Sequence, residues 1–187
     1  LRQGLFAAGE ETTLSGISFN PNIPSEEVFT SPMRGEAEGV VYSTKPLSYQ
    51  GELIENFSVR FEGGRAVEVK AEKNQHLLEK MIAMDEGAAM LGECALIAYD
   101  SPINNQGILY YNTLFDENAS CHLALGRGFD NTLKGFEDMT KEEIHAKGIN
   151  DSMIHVDFMI GAKDLEIVGI TKNGERVPIF KDGNWAF

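Results

Sequence analysis

The sequence predicts an α+β fold, with a mostly antiparallel β-sheet built from hairpins and a few helices. Apolar and polar residues alternate over several short stretches, as they do in half-buried strands. Gly63-Gly64 and Asn173-Gly174 stand between such stretches, where tight turns join paired strands. Helical periodicity appears in only two segments, and no βαβ alternation is visible.

Taken in order, residues 9–32 are rich in Gly, Ser, Thr, Asn and Pro and read as loops with short extended pieces. Ile54, Phe57, Val59 and Phe61 then suggest a strand, and Val67, Val69 and Ala71 resume the alternation after Gly63-Gly64, which makes a hairpin. Leu77, Leu78, Met81 and Ile82 fall at helical spacing and predict one amphipathic helix over residues 74–84. Residues 94–98 read as a buried strand, with further strands over 108–114, 122–125, 154–160 and 166–171. The last of these pairs with 176–180 around Asn173-Gly174. Thr140 and Glu143 form the signature of a capping box, which starts a short helix over 141–147. No repeat and no low-complexity segment interrupts the chain.

Composition narrows the function classes. The 187 residues suffice for one sizeable core, and a 42% hydrophobic content is that of a folded globule. A formal charge of −13 argues against nucleic acid, whose phosphates a partner must neutralise with Lys and Arg. No apolar run approaches the ~20 residues that span a bilayer, so no membrane partner is expected. Leu1-Arg2-Gln3-Gly4 lacks the features of a signal peptide, and the missing initiator Met suggests a processed end or an excised piece. Cys94 and Cys121 form no C-x-x-C pair and read as buried, reduced thiols, which fits the cytoplasm.

The residues that could carry chemistry are acids and imidazoles. His155 and Asp157, two apart on a predicted strand, project from one face and make half of a divalent-metal site. The same spacing also suits a plain His–Asp hydrogen bond at a sheet edge. His122 opens an apolar run five positions after Glu117, where a satisfied core histidine is the competing reading. Glu93 begins a buried strand and needs a partner, because an unpaired buried carboxylate is costly. Glu26 and Glu27 lie between two prolines, which alone would mean a solvated loop. His76 and His145 sit among polar residues and are expected at the surface. Together these signals suit a pair of divalent ions sharing a bridging carboxylate.

Four segments then carry a resemblance: Asn22-Ile23-Pro24-Ser25-Glu26-Glu27-Val28-Phe29-Thr30, residues 114–126, His155-Val156-Asp157 and Asp182-Gly183-Asn184-Trp185. In order and spacing they are similar to the aminopeptidase T / aminopeptidase S family of bacterial dinuclear metallo-aminopeptidases. The resemblance spans nearly the whole chain. It implies two divalent ions (zinc, cobalt or magnesium) held by Glu27, Glu93, Glu117, His122, His155 and Asp157, with Glu93 as the bridge. Glu26 is the expected proton carrier, and peptides are the expected substrates. Members are about twice as long, so residues 1–187 correspond to the C-terminal metal-binding part, without the amino-terminal α/β domain; the full-length protein is expected to be a homodimer. Phe129 departs from the pattern, since members often have Tyr there, and Tyr110, Tyr111 or a metal is the expected substitute for the hydroxyl. The rival readings are a dinuclear amidohydrolase acting on a non-peptide substrate, and a metal-binding assembly domain without turnover.

Overall fold

A computed structural model describes residues 4–187; the amino-terminal reading of Leu1, Arg2 and Gln3 lies outside the described residues. The chain opens with β1 (Glu11–Thr12) and β2 (Ser18–Phe19), a short ribbon, followed by β3 (Val28–Thr30). Next come β4 (Gly39–Tyr42), β5 (Leu47–Tyr49), β6 (Glu52–Glu62), β7 (Arg65–Lys73) and α1 (Gln75–Ile82). Strand β8 (Leu91–Leu96), α2 (Thr113–Glu117), β9 (His122–Gly126), α3 (Lys141–Ala146) and β10 (His155–Met159) complete the central part. A small sheet of β11 (Ile167–Ile170), β12 (Arg176–Lys181) and β13 (Asn184–Trp185) ends the chain. Every strand pairing among the described residues is antiparallel, as the α+β expectation requires.

Two sheets form the body. In the first, β6 pairs with β4, β5 and β7, and it turns Ile54, Phe57, Val59 and Phe61 inward. In the second the order is β10-β9-β8-β3. Leu123, Leu125 and Phe158 of the second sheet join the cluster made by β6, β7 and α1, where Phe57 meets Phe158 at 5.7 Å between ring centroids. Helix α1 buries Leu77, Leu78 and Met81, the stripe its periodicity forecast.

The hairpin departs from strict alternation at one point. Val59 pairs with Val69 and Phe61 with Ala66, so β7 spends three residues where β6 spends two. This bulge puts Ala66 and Val69 inside and leaves Val67 exposed. The strand expected over 108–114 does not form. The Asp116 carboxylate accepts the backbone N–H groups of Tyr110 (2.7 Å) and Asn112 (3.1 Å), which curls this segment onto the start of α2. Helix α3 carries the predicted capping box at Thr140 and Glu143. His76 is exposed, but His145 is half-buried, because Arg34 Nη1 donates to its Nε2 at 2.5 Å.

Candidate metal centre

The faces of the second sheet have opposite chemistry. Directly opposite residues in antiparallel strands share a face, and so do residues two apart. Glu93, Ala124 and Asp157 form one cross-strand row; Ala95, His122 and Met159 form the next. His155 lies opposite Gly126, and Phe29 opposite Ala95. Glu27, two residues before Phe29, reaches the same face from the entry to β3, while Glu26 is exposed. The other face holds Leu123, Leu125, Val156 and Phe158 against the core.

Next to the candidate ligands this face carries the small residues Ala95, Ala124 and Gly126, with Phe29 and Met159 at its other end. Gly126 cannot be replaced freely, since a Cβ there would lie 2.1 Å from the Ile154 carbonyl and its φ is +105°.

Glu93, His122 and Asp157 are 3%, 1% and 4% exposed, so the cluster is withdrawn from water. His155 Nε2 lies 3.1 Å from both Glu93 Oε2 and Asp157 Oδ1, and His122 Nε2 lies 3.2 Å from Glu27 Oε2. The donor atoms fall into two overlapping groups, Glu27–Glu93–His122 and Glu93–His155–Asp157, with all atoms of a group within 4.8 Å of one another. Glu93 belongs to both, the position of a bridge. Glu117, at the end of α2, belongs to neither group but lines the same cavity of about 280 Å³, as Asp157 does.

The electrostatics are those of crowded acids. Burial, with Asp157 next, pushes the Glu117 carboxyl up to about 8. Glu93 is likewise raised, chiefly by burial. For the imidazoles, burial works downward but is outweighed. The Glu27 bond and the surrounding carboxylates take His122 up to about 9, and bonds to Asp157 and Glu93 take His155 up to about 11. Asp157 is lowered: burial raises it, but the His155 bond and charge prevail.

Two observations show that these residues fit a cation. Glu27 Oε2 and Asp157 Oδ1 are buried without a hydrogen bond of acceptable geometry, an arrangement that a positive ion would relieve. Both imidazoles already use Nδ1 on the backbone, His122 at Ser120 O (3.2 Å) and His155 at Arg127 O (2.7 Å). Loss of the Nε2 proton would therefore aim a lone pair into the cavity, the usual way in which outer hydrogen bonds orient a ligand imidazole.

Further residues hold this arrangement, and sequence reasoning missed them. Asn118, fully buried, accepts the Glu26 N–H (2.7 Å) and donates to Leu114 O, which ties the Glu26-Glu27 segment to α2. Asp85 accepts from Ala88 N, Ser152 Oγ and Met153 N, fixing the approach to β10. From there Ile154 O accepts the Arg127 N–H, and Arg127 O in turn holds His155. Phe129 sets its ring edge-on to His155, 4.9 Å between centroids, and lines the cavity. Tyr110 and Tyr111 do not line it: Tyr110 stacks on Phe115, and Tyr111 is exposed. Nor does Glu26, because it alternates with Glu27 along the approach to β3 and is turned to solvent.

This donor set of carboxylates and imidazoles without thiolate is of a kind that could hold metal ions. Residues 1–185 match the thermophilic metalloprotease (M29) family of peptidases, and the chain belongs to that family. It is 52% identical over 186 residues to aminopeptidase AmpS of Bacillus subtilis (strain 168), a match covering 100% of this chain and 45% of that protein. Aminopeptidase T of Thermus aquaticus is 45% identical over 182 residues, with 97% of this chain and 44% of that protein covered. The structure of wild-type AmpT from Thermus thermophilus superimposes with a TM-score of 0.91 at 42% identity, over 99% of this chain and 45% of that chain. The chain thus spans less than half the length of these relatives.

Proposed function

We propose that this chain is the metal-binding catalytic part of a two-metal aminopeptidase that hydrolyses the first peptide bond of peptides. The carrying observation is the pair of donor groups sharing Glu93. The chemistry of the set agrees with it: Glu27, Glu93, Glu117 and Asp157 gather four carboxyls around one cavity, and divalent cations would favour their charged form. Glu27, Glu93, His122, His155 and Asp157 would hold the ions, with zinc, cobalt or magnesium suited to such donors. When bound, such a pair supplies Lewis acidity toward water and the scissile carbonyl.

The chain's own groups do the rest. Glu117 lines the cavity but stands outside both donor groups, which leaves its carboxyl to handle a proton, whereas Glu26 is turned to solvent. We therefore assign proton transfer from water to the leaving amine to Glu117, in place of Glu26. The acids around the cavity favour a free α-ammonium group, which supports an exopeptidase. No helix among the described residues is long and apolar enough to cross a membrane. The free thiols Cys94 and Cys121, both raised to about 11 by burial, suit a reducing compartment such as the cytoplasm.

The test is release of free amino acid from dipeptides by the chain supplied with zinc or cobalt. Metal-dependent release is expected, slower than in the longer relatives, and a chelator should stop it. Tight metal binding with no release from any peptide would instead favour an assembly domain. Turnover of simple amides alone would favour the amidohydrolase.

A further inference from the structure

Beside α3, against residues 149–151, lies a second polar cavity of about 40 Å³, outside the carboxylate cluster. A water molecule needs about 10–15 Å³ of such space, so about three would fit. Arg127 and Lys141 are offset by Asp130 and Asp151 around it, so the lining asks for no charged occupant. Two buried atoms of lining residues have no hydrogen-bond partner in the protein: His145 Nδ1 and Asn150 Oδ1. Their roles follow from what the rest of each side chain does. His145 Nε2 accepts from Arg34 Nη1, which can only donate, so the ring proton sits on Nδ1. Asn150 is 1% exposed and spends both amide hydrogens, on Gly87 O (2.9 Å) and Gly126 O (2.6 Å), which leaves Oδ1 as an acceptor. One buried donor and one buried acceptor thus border the same small cavity. A molecule that joins them must accept from the first and donate to the second, and water does both.

Asn150 also reaches the metal centre through the backbone. Its side chain holds Gly126 O, and its carbonyl accepts the Gly128 N–H (2.8 Å), so it grips the chain on both sides of Arg127. The Arg127 carbonyl between these points is the one that fixes His155 Nδ1 (2.7 Å). The fit around Asn150 is close: a Cβ on Gly87 would lie 1.8 Å from Asp151 O.

We infer that this cavity binds ordered water bridging His145 Nδ1 to Asn150 Oδ1, and that Asn150, so held, is a positioning residue for His155. The water site stands on hydrogen-bond geometry alone, while its effect on metal binding rests on the two-metal reading above. Through it α3, which supplies no candidate ligand, is coupled to one of the imidazoles of the centre.

A high-resolution crystal structure of the metal-free chain tests the water. Density is expected within hydrogen-bond distance of both atoms, directly or through a second water. A dry cavity, or a protein group turned into it, would overturn the site. Zinc titration, together with solvent exchange of the His155 Nδ1 proton followed by NMR, tests the positioning. Asn150→Ala should lower zinc affinity about tenfold, as loss of an outer hydrogen-bonding residue does, and should speed exchange of that proton. His145→Leu should shift both readouts in the same direction but less. His145→Gln, which can accept from Arg34 and donate to the water, should restore them. Cooperative thermal unfolding checks each fold, and if Asn150→Ala does not fold, the two His145 variants decide. Equal behaviour of His145→Leu and His145→Gln would overturn the bridge, and unchanged proton exchange in Asn150→Ala would overturn the positioning role. Faster exchange with no zinc binding by any form, the unaltered chain included, would uphold the positioning and remove the two-metal reading instead.

Discussion

The β6–β7 hairpin and the β3–β8–β9–β10 sheet touch through one core, yet they treat charge in opposite ways. The hairpin turns Ile54, Phe57, Val59 and Phe61 inward and leaves Arg60, Glu62, Glu68 and Lys70 paired in water. The sheet buries its second face too, and there it places Glu93, His122 and Asp157. Surface pairs of the first kind contribute about 0–1 kcal/mol each. Buried acids of the second kind carry a desolvation cost of several kcal/mol apiece, unless paired or bound to a cation. On this face the acids are paired with His122 and His155, and they are the donors that the proposed metal centre would use, with the hairpin as its support.

The largest expected effect separates the two regions. Glu93→Ala should lower zinc affinity by about a hundredfold or more, beyond the usual outer-sphere loss of 10–100-fold, since it removes a donor from both groups. Asp157→Ala should weaken one ion chiefly. The melting temperature of the metal-free protein should change little in Glu93→Ala, as relief of like-charge crowding offsets loss of the pair with His155. Normal zinc affinity in both variants would undo the ligand assignment. Ile54→Ala should do the reverse, costing about 2–5 kcal/mol in denaturant unfolding through lost burial. If it changed zinc affinity more than stability, the division of labour would be wrong.

Smaller effects sharpen the boundary. Asp85 touches no donor atom, but it fixes Ser152 and Met153 just before His155. Asp85→Ala should cost about tenfold in metal affinity, the low end for a supporting residue. The Met153 N–H and its other donors hold the Asp85 carboxyl below its usual 3.8, so its stabilisation is present above that value and fades as pH falls through the lowered one. Arg60→Ala on the hairpin surface should change stability by less than about 1 kcal/mol and leave metal binding alone.

Sequence legibility followed the same division. The hairpin, α1, α3 and β10 were readable because local patterns decide them: Gly63-Gly64, the Leu77–Leu78–Met81 stripe, the Thr140–Glu143 box, and His155 with Asp157 at i and i+2. The strand expected over 108–114 was not correctly readable, because the Asp116 carboxylate, only six and four residues on, accepts the Tyr110 and Asn112 N–H groups and so outweighs the apolar pattern. The short strands β4 and β5 were invisible because they take their definition from β6. In the site, titratable residues stood out by type. The residues that make room or give support, such as Ala124, Asn118 and Asp85, have no distinguishing pattern until strand register brings them together. Glu26 shows the converse: adjacency to Glu27 placed it near the site, and alternation turned it away.

Zinc titration of the metal-free chain by calorimetry, in buffers of different ionisation enthalpy, tests the central assignment most directly. With His122 raised to about 9 and His155 to about 11, both imidazoles are protonated at neutral pH. Their ion pairs stabilise the metal-free fold fully below the ordinary 6.5, and this contribution is lost as pH climbs through the raised values. Binding must release those protons, so zinc affinity should increase from neutral pH toward about 9. The account predicts two ions per chain with proton release and that pH trend. Failure to bind any divalent ion, or binding whose affinity ignores pH and releases no protons, would contradict it.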